Sequence, residues 1–206
     1  MIVAAFYTIG TPYEQEAEEL RKTLDRFGLQ YDIRALPHPG SWAKANLLNA
    51  GVIKGVRDSH PGEDVLYLDA DARVMQDPRP FFDELRQGPY DVGVYYLPDS
   101  PHAPLDCREE LCSGTTWWNT TETATGLLDR WIEANAAPEA DKRHGVDQAI
   151  LQDLLATGHA RVARLYPEMC WIDTISEMHF GKREPIIFHT QASRRHRRAV
   201  NRCLPG

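Results

Sequence analysis

Three apolar runs open this chain, each ended by a turn signal and separated from the next by a stretch with helical spacing. Ile2–Thr8 (IVAAFYT) is rich in β-branched and aromatic residues, which reads as a buried strand, and Gly10-Thr11-Pro12 breaks it. Over 13–27 the apolar positions Ala17, Leu20, Leu24 and Phe27 recur every three or four residues, the spacing of one helical face, and Gly28 stands where a helix ends. Tyr31–Leu36 is a second strand, stopped by Pro37-His38-Pro39-Gly40. Ser41 can cap a helix over 42–59 that turns Ala45, Leu48, Val52, Ile53 and Val56 to one side. The third run, 64–69, is DVLYLD: apolar, then abruptly acidic. A βαβαβ opening of this kind predicts an α/β fold with a largely parallel sheet covered on both faces, whose ligands gather beyond the C-terminal strand ends.

The alternation continues. A short helix is expected over 80–86, a strand over 91–96, a loop over the Pro-, Asp- and Glu-rich stretch 97–112, helices over 126–136 and Val146–Ala156, and strands over 161–165 and 185–189. No repeat or composition shift divides the 206 residues, so one domain is expected over 1–206, ending in a basic tail from about 190. With 42% hydrophobic and 26% charged residues, disorder of the whole chain is excluded. No run approaches the roughly 18 apolar residues of a membrane span, and the start lacks the basic region of a signal peptide. Four cysteines, at 107, 112, 170 and 203, form no CxxC pair, which argues against a zinc knuckle. Free thiols and a cytoplasmic location are expected.

Charge is unevenly placed. Net charge is −7, yet the segment from Gly181 onward carries seven Lys/Arg against one acid, Glu184, so it holds +6 and the first 180 residues −13. An acidic body argues against indiscriminate nucleic-acid binding. A basic tail on such a body suits one localised anion, a diphosphate or a short backbone stretch, or else a solvated terminus.

Asp69-Ala70-Asp71 closes the third strand. Two carboxylates held close repel each other, so either a divalent cation compensates them or they form a polar surface turn. His189 ends the apolar run PIIF and is followed by Ser193, Arg194 and Arg195, whose guanidinium forks match phosphate oxygens. Ser113-Gly114 is either an ordinary turn before the strand of Trp117 and Trp118 or a place where a ligand can approach the backbone closely and meet a hydroxyl. Asp147 opens a helix, where it can cap free N–H groups, or serve as a base or hydrogen-bond anchor for a hydroxyl. Asn119-Thr120-Thr121 matches a glycosylation sequon and is read as accidental.

These pieces together resemble the GT-A fold glycosyltransferases, in particular the nucleotide-diphospho-sugar transferases. The resemblance is carried by FYTIGTPYEQEAEEL, GSWAKANLLNAGVIKGV, VLYLDADARV, SGTTWWNTTETATGLLDRW, GVDQAIL and PIIFHTQASRR, in that order over most of the chain. It implies a Rossmann-like, mostly parallel sheet and transfer of a sugar from a UDP- or GDP-sugar donor to an acceptor hydroxyl. It also implies Mn²⁺ or Mg²⁺ held by Asp69, Asp71 and His189, with Asp69 facing the ribose as well. Ser113 and Gly114 would line the donor sugar, Asp147 would lie near the reaction centre, and Thr8 would meet the base and ribose. Trp42 could stack on a base or sugar or serve as a packing residue at the helix start, Lys44 could meet phosphate or face water, and Arg194 or Arg195 would meet phosphate. The acceptor is left open among protein, glycan, small molecule and a hydroxylated DNA base. Rival readings of the acidic pair are a haloacid-dehalogenase-like phosphohydrolase, a nucleotidyltransferase and a non-catalytic binding domain. The phosphohydrolase motif ends the first core strand rather than the third, and Gly10-Thr11-Pro12-Tyr13-Glu14 is not the basic Gly-rich loop of a nucleotidyltransferase.

Overall fold

A computed structural model describes residues 1–100, 109–142 and 146–200. Strand β1 (Ile2–Thr8), helix α1 (Tyr13–Arg26), β2 (Tyr31–Leu36), helices α2 (Trp42–Asn46) and α3 (Asn49–Ser59) and β3 (Val65–Leu68) form the opening. Then follow β4 (Ala72–Val74), α4 (Arg79–Gln87), β5 (Val92–Pro98), β6 (Glu109–Trp118), α5 (Glu122–Asn135), α6 (Val146–Ala156) and β7 (Val162–Arg164). β8 (Trp171–Ile172), α7 (Asp173–Phe180), β9 (Ile187–His189) and α8 (Ala192–Val200) complete the described chain.

The main sheet has the order β2-β1-β3-β6-β5-β7. Only β6 runs against its neighbours, so the sheet is mostly parallel, as the opening alternation predicts. Central β3 is buried along its whole length, which is why it reads as an unbroken apolar run rather than an alternating one. A second sheet, β4-β9-β8, brings the end of the chain back beside the residues that follow β3.

Two apolar layers flank the main sheet, and the Trp117-Trp118 pair of β6 serves one each, because successive strand residues face opposite ways. Trp118 stacks on Trp131 of α5 with ring centroids 5.7 Å apart. Trp117 packs in the layer of Leu20, Leu24 and Phe82, and its indole N–H donates to buried Asp64 at 2.6 Å. α1 ends at Gly28, whose φ of +59° allows the Leu29 N–H to reach back to the Leu24 carbonyl at 3.1 Å.

Two expectations need correction. The helix foreseen over 42–59 is two helices. Between them the Leu48 N–H bonds the Ala45 carbonyl, a tightened turn, and Asn135 Nδ2 donates to the Leu47 carbonyl at 3.0 Å. The stretch 97–112 is not all loop: β5 runs to Pro98 and β6 begins at Glu109, pairing Leu97 with Glu110. The acids that suggested a loop have partners on the sheet. Arg164 holds Glu109, and Gln148 Nε2 donates to Glu110 at 2.5 Å. Residues 101–108, with Cys107, and residues 201–206, with Cys203 and the last tail arginine, lie outside the described residues.

Candidate active site

A cavity of about 540 Å³ opens beyond the C-terminal ends of β1 and β3. Thr8, Trp42, Asp69, Asp71, Ser113, Gly114, Asp147, His189, Ser193 and Arg194 line it. Lys44 and Arg195 are not among the lining residues. Lys44 is exposed on α2, where its backbone N–H takes the Ser41 hydroxyl as cap. Arg195 donates to Glu16 at 3.0 Å and to the Thr190 carbonyl at 3.1 Å. Glu16, mostly buried on α1, also binds Arg73 at 2.5 Å and His196 at 3.2 Å, so it anchors α8.

One ligand atom each from Asp69, Asp71 and His189 lies within 4.8 Å of the others. β4 and β9 make this possible by pairing Ala72 with His189. Asp71 takes the Ala192 N–H at the start of α8 on Oδ2 (2.7 Å) and faces His189 Nδ1 from Oδ1 at 3.4 Å. The other ring nitrogen of His189 meets the Thr115 hydroxyl at 2.7 Å. Burial would raise the Asp71 carboxyl, but His189 and the α8 N–H outweigh it and hold it below the usual range. Burial and the Asp71 charge push Asp69 up. Two carboxylates and an imidazole suit a borderline or hard divalent cation. The backbone fits too: a Cβ at Gly114 would stand 2.9 Å from Asp69 Oδ2 and 3.1 Å from His189 Cε1, so only glycine leaves the group its room.

β6 shapes the opposite wall. Its ladder with β5 passes from Val94–Thr116 directly to Tyr95–Cys112, so Ser113, Gly114 and Thr115 bulge out of that pairing beside the cleft. On the other edge the Asp69 N–H still donates to the Gly114 carbonyl at 2.9 Å. The bulge aims the Thr115 hydroxyl at His189 and brings Ser113 to Asp147.

Asp147 sits in the first turn of α6, after Val146 with φ +45°, a backbone rarely adopted by a β-branched residue and a form of strain concentrated at functional sites. Its carboxylate is buried and takes Asn49 Nδ2 at 2.8 Å. Burial first, and the charge of Asp69 second, push it up to about 7 despite the Ser113 and Asn49 hydrogen bonds.

Several lining or supporting residues escaped the sequence reading. Tyr13, whose hydroxyl bonds Trp42 and whose ionisation burial pushes up, stands on the first turn of α1 and was read only as the start of a helix. Asn49 and Tyr67 were read as interior positions of a helix and a strand. Cys112 and Cys170 both line the cleft with free thiols.

A profile of the nucleotide-diphospho-sugar transferase family matches residues 59–200. The fold is similar to that of a glycosyltransferase involved in glycosylation of the major capsid of PBCV-1: TM-score 0.71, 14% identity, covering 97% of this chain and 96% of that one. GlyE, a glycosyltransferase of Streptococcus pneumoniae TIGR4, gives a TM-score of 0.60 at 17% identity over 91% of this chain and 54% of its own length. Mouse xyloside xylosyltransferase 1 gives 0.56 at 11% identity over 93% of this chain and 97% of its own. No curated protein matches the sequence. Among the described residues no helix is long and apolar enough to cross a membrane. The family profile spans most of the chain and includes the acidic pair, the β6 bulge, Asp147 and His189: this chain belongs to the nucleotide-diphospho-sugar transferases and is a glycosyltransferase.

Proposed function

We propose that this chain moves a sugar from a UDP- or GDP-sugar to an acceptor hydroxyl, with Mn²⁺ or Mg²⁺ held by Asp69, Asp71 and His189. The observation that carries this is the convergence of those three side chains opposite a glycine whose Cβ would crowd Asp69 and His189. A divalent cation there supplies positive charge next to the diphosphate on which negative charge grows as the anomeric C–O bond breaks. The protein's own groups do the rest. Thr8, Tyr13 and Trp42 form the wall for the nucleoside. Ser193 and Arg194, at the start of α8, face the same cavity, and a helix N-terminus with an arginine favours phosphate oxygens. Arg195 acts through Glu16, holding α8 in place so that Arg194 is presented.

Ser113 and Gly114 bound the sugar. Asp147, ionised, accepts a hydrogen bond from the acceptor hydroxyl and orients its oxygen toward the anomeric carbon. Membership of a sugar-transferase family favours this reading over phosphohydrolase, nucleotidyl transfer or a non-catalytic role. Two basic residues of the C-terminal segment, Arg183 and Arg195, are paired with Glu168 and Glu16, which favours a small or protein acceptor over DNA. The test is calorimetry of UDP and GDP with and without Mn²⁺, followed by product analysis with the matching nucleotide-sugar. Metal-assisted uptake of one nucleoside diphosphate supports the reading; uptake of none overturns it.

A further inference from the structure

Asn49 and Tyr67 join the two halves of the cleft. The Tyr67 hydroxyl lies 2.9 Å from Asn49 Oδ1 and 3.1 Å from Asp69 Oδ1, and Asn49 Nδ2 lies 2.8 Å from Asp147 Oδ2. All of these except Asp69 are at most 4% exposed. A tyrosine hydroxyl carries one hydrogen, so it can serve only one of its two acceptors at a time. With Asp147 ionised, the Asn49 amide donates to it and its own oxygen takes the Tyr67 hydrogen. With Asp147 protonated, the carboxyl hydrogen wants an acceptor. The amide turned end for end offers its oxygen to Asp147 and its NH₂ to the Tyr67 oxygen, freeing the Tyr67 hydrogen for Asp69. The reversed arrangement has three hydrogen bonds where the ionised one has two, and the Tyr67 hydrogen exchanges a neutral acceptor for a charged one, which makes the stronger bond.

We propose that Asn49 is a positioning residue whose side-chain amide reverses when Asp147 takes up a proton, passing the Tyr67 hydrogen from Asn49 to Asp69. The consequence for the reaction rests on the proposed reading of Asp147 and Asp69 as acceptor-side and metal-side groups; the coupling itself does not. Burial and the Asp69 charge bring Asp147 to about 7, so both arrangements are populated near neutrality. Among the described residues, the groups facing Asp147 are Asp69 past β3, Asn49 on α3 and Ser113 on β6, with the Trp131 indole of α5 on its backbone carbonyl at 3.2 Å. Glu110 of β6 is taken by Gln148, Lys142 pairs with Glu139, and Lys44 of α2 is exposed.

The test is an NMR titration of the metal-free full chain from pH 5 to 9, following the Asp147 carboxyl carbon and the Asn49 side-chain amide. The amide signals are expected to move with the Asp147 midpoint. Asn49→Leu should raise that midpoint by about half a pH unit, because the carboxylate loses a donor. Tyr67→Phe should lower it by a similar amount, because the protonated form loses its gain at Asp69. In the Asn49→Leu background the Tyr67→Phe shift should vanish; if it persists undiminished, the link runs through the Asp69 charge and the inference fails. An Asn49 amide that ignores the Asp147 titration in the unaltered protein also overturns it, with no variant needed. None of these readouts needs sugar transfer, so a chain that binds no nucleotide would sink the functional reading alone.

Discussion

Asp71 and Asp147 are both buried in one cleft, yet their protons are held in opposite ways. Asp71 faces a histidine and a helix N-terminal N–H, which keep it ionised. Among the described residues Asp147 meets the neutral donors Asn49 and Ser113, and burial first, with the Asp69 charge second, brings it to about 7. Burial alone therefore does not set the role of a carboxylate; the charge of its neighbours does. The Asp71–His189 pair is held charged, whereas the α6 carboxylate changes charge near neutrality.

Removing the permanently charged member should have the largest effect. Asp71→Ala is expected to abolish metal-assisted nucleoside diphosphate uptake and lower kcat by about 10³-fold or more, with the circular dichroism spectrum preserved. Retained uptake in calorimetry would break the contrast at its first half. Gly114→Ala comes next. The added methyl must displace Asp69 or His189, and kcat should fall about 100-fold, the scale of a 1 Å misplacement. A loss confined to KM for the acceptor would mean that the glycine serves something other than the charged wall.

The second half of the contrast is tested by pH. If ionised Asp147 is the working form, kcat/KM rises through about 7, and Asp147→Asn flattens that limb while lowering the plateau about tenfold. Stability should move the other way. A carboxyl whose native pKa lies near 7, against about 3.9 unfolded, destabilises the fold progressively as pH rises from about 4 to about 7. Asp147→Asn should therefore gain melting temperature relative to the parent over that window and hold the gain above it. The smallest effect on activity is expected at a third carboxylate, outside the cleft. Arg161 first of all, with its own backbone N–H and Thr121, holds buried Asp91 down at about 2. That contribution is present above about pH 4 and lost as pH falls toward 2. Asp91→Asn should cost about 2 kcal/mol of stability at neutral pH, leaving kcat unchanged in the folded fraction.

The parallel opening and the acidic strand end were legible because both depend on local pattern: an apolar run buried on two faces, then carboxylates at its end. Asp69, Asp71 and His189 were named as a set from resemblance, since nothing local ties residue 189 to residue 71; the β4–β9 pairing does so. The β6 bulge was hidden because three residues leaving a ladder have no period. Asn49 and Tyr67 were hidden for a related reason. An Asn after Leu48 and a Tyr inside VLYL satisfy helix and strand patterns, and only the meeting of α3, β3 and α6 turns them into a polar bridge. Glu109 and Glu110 misled by composition, because their partners lie on β7 and α6.

Asp71 and His189 stand 118 positions apart along the chain. A nascent polypeptide that has laid down its first five strands owns the acidic pair but neither the histidine nor Arg194. On the proposed reading the site is complete only once β9 and α8 are in place, and a cut after β7 would remove His189 and Arg194 while sparing all six strands of the main sheet.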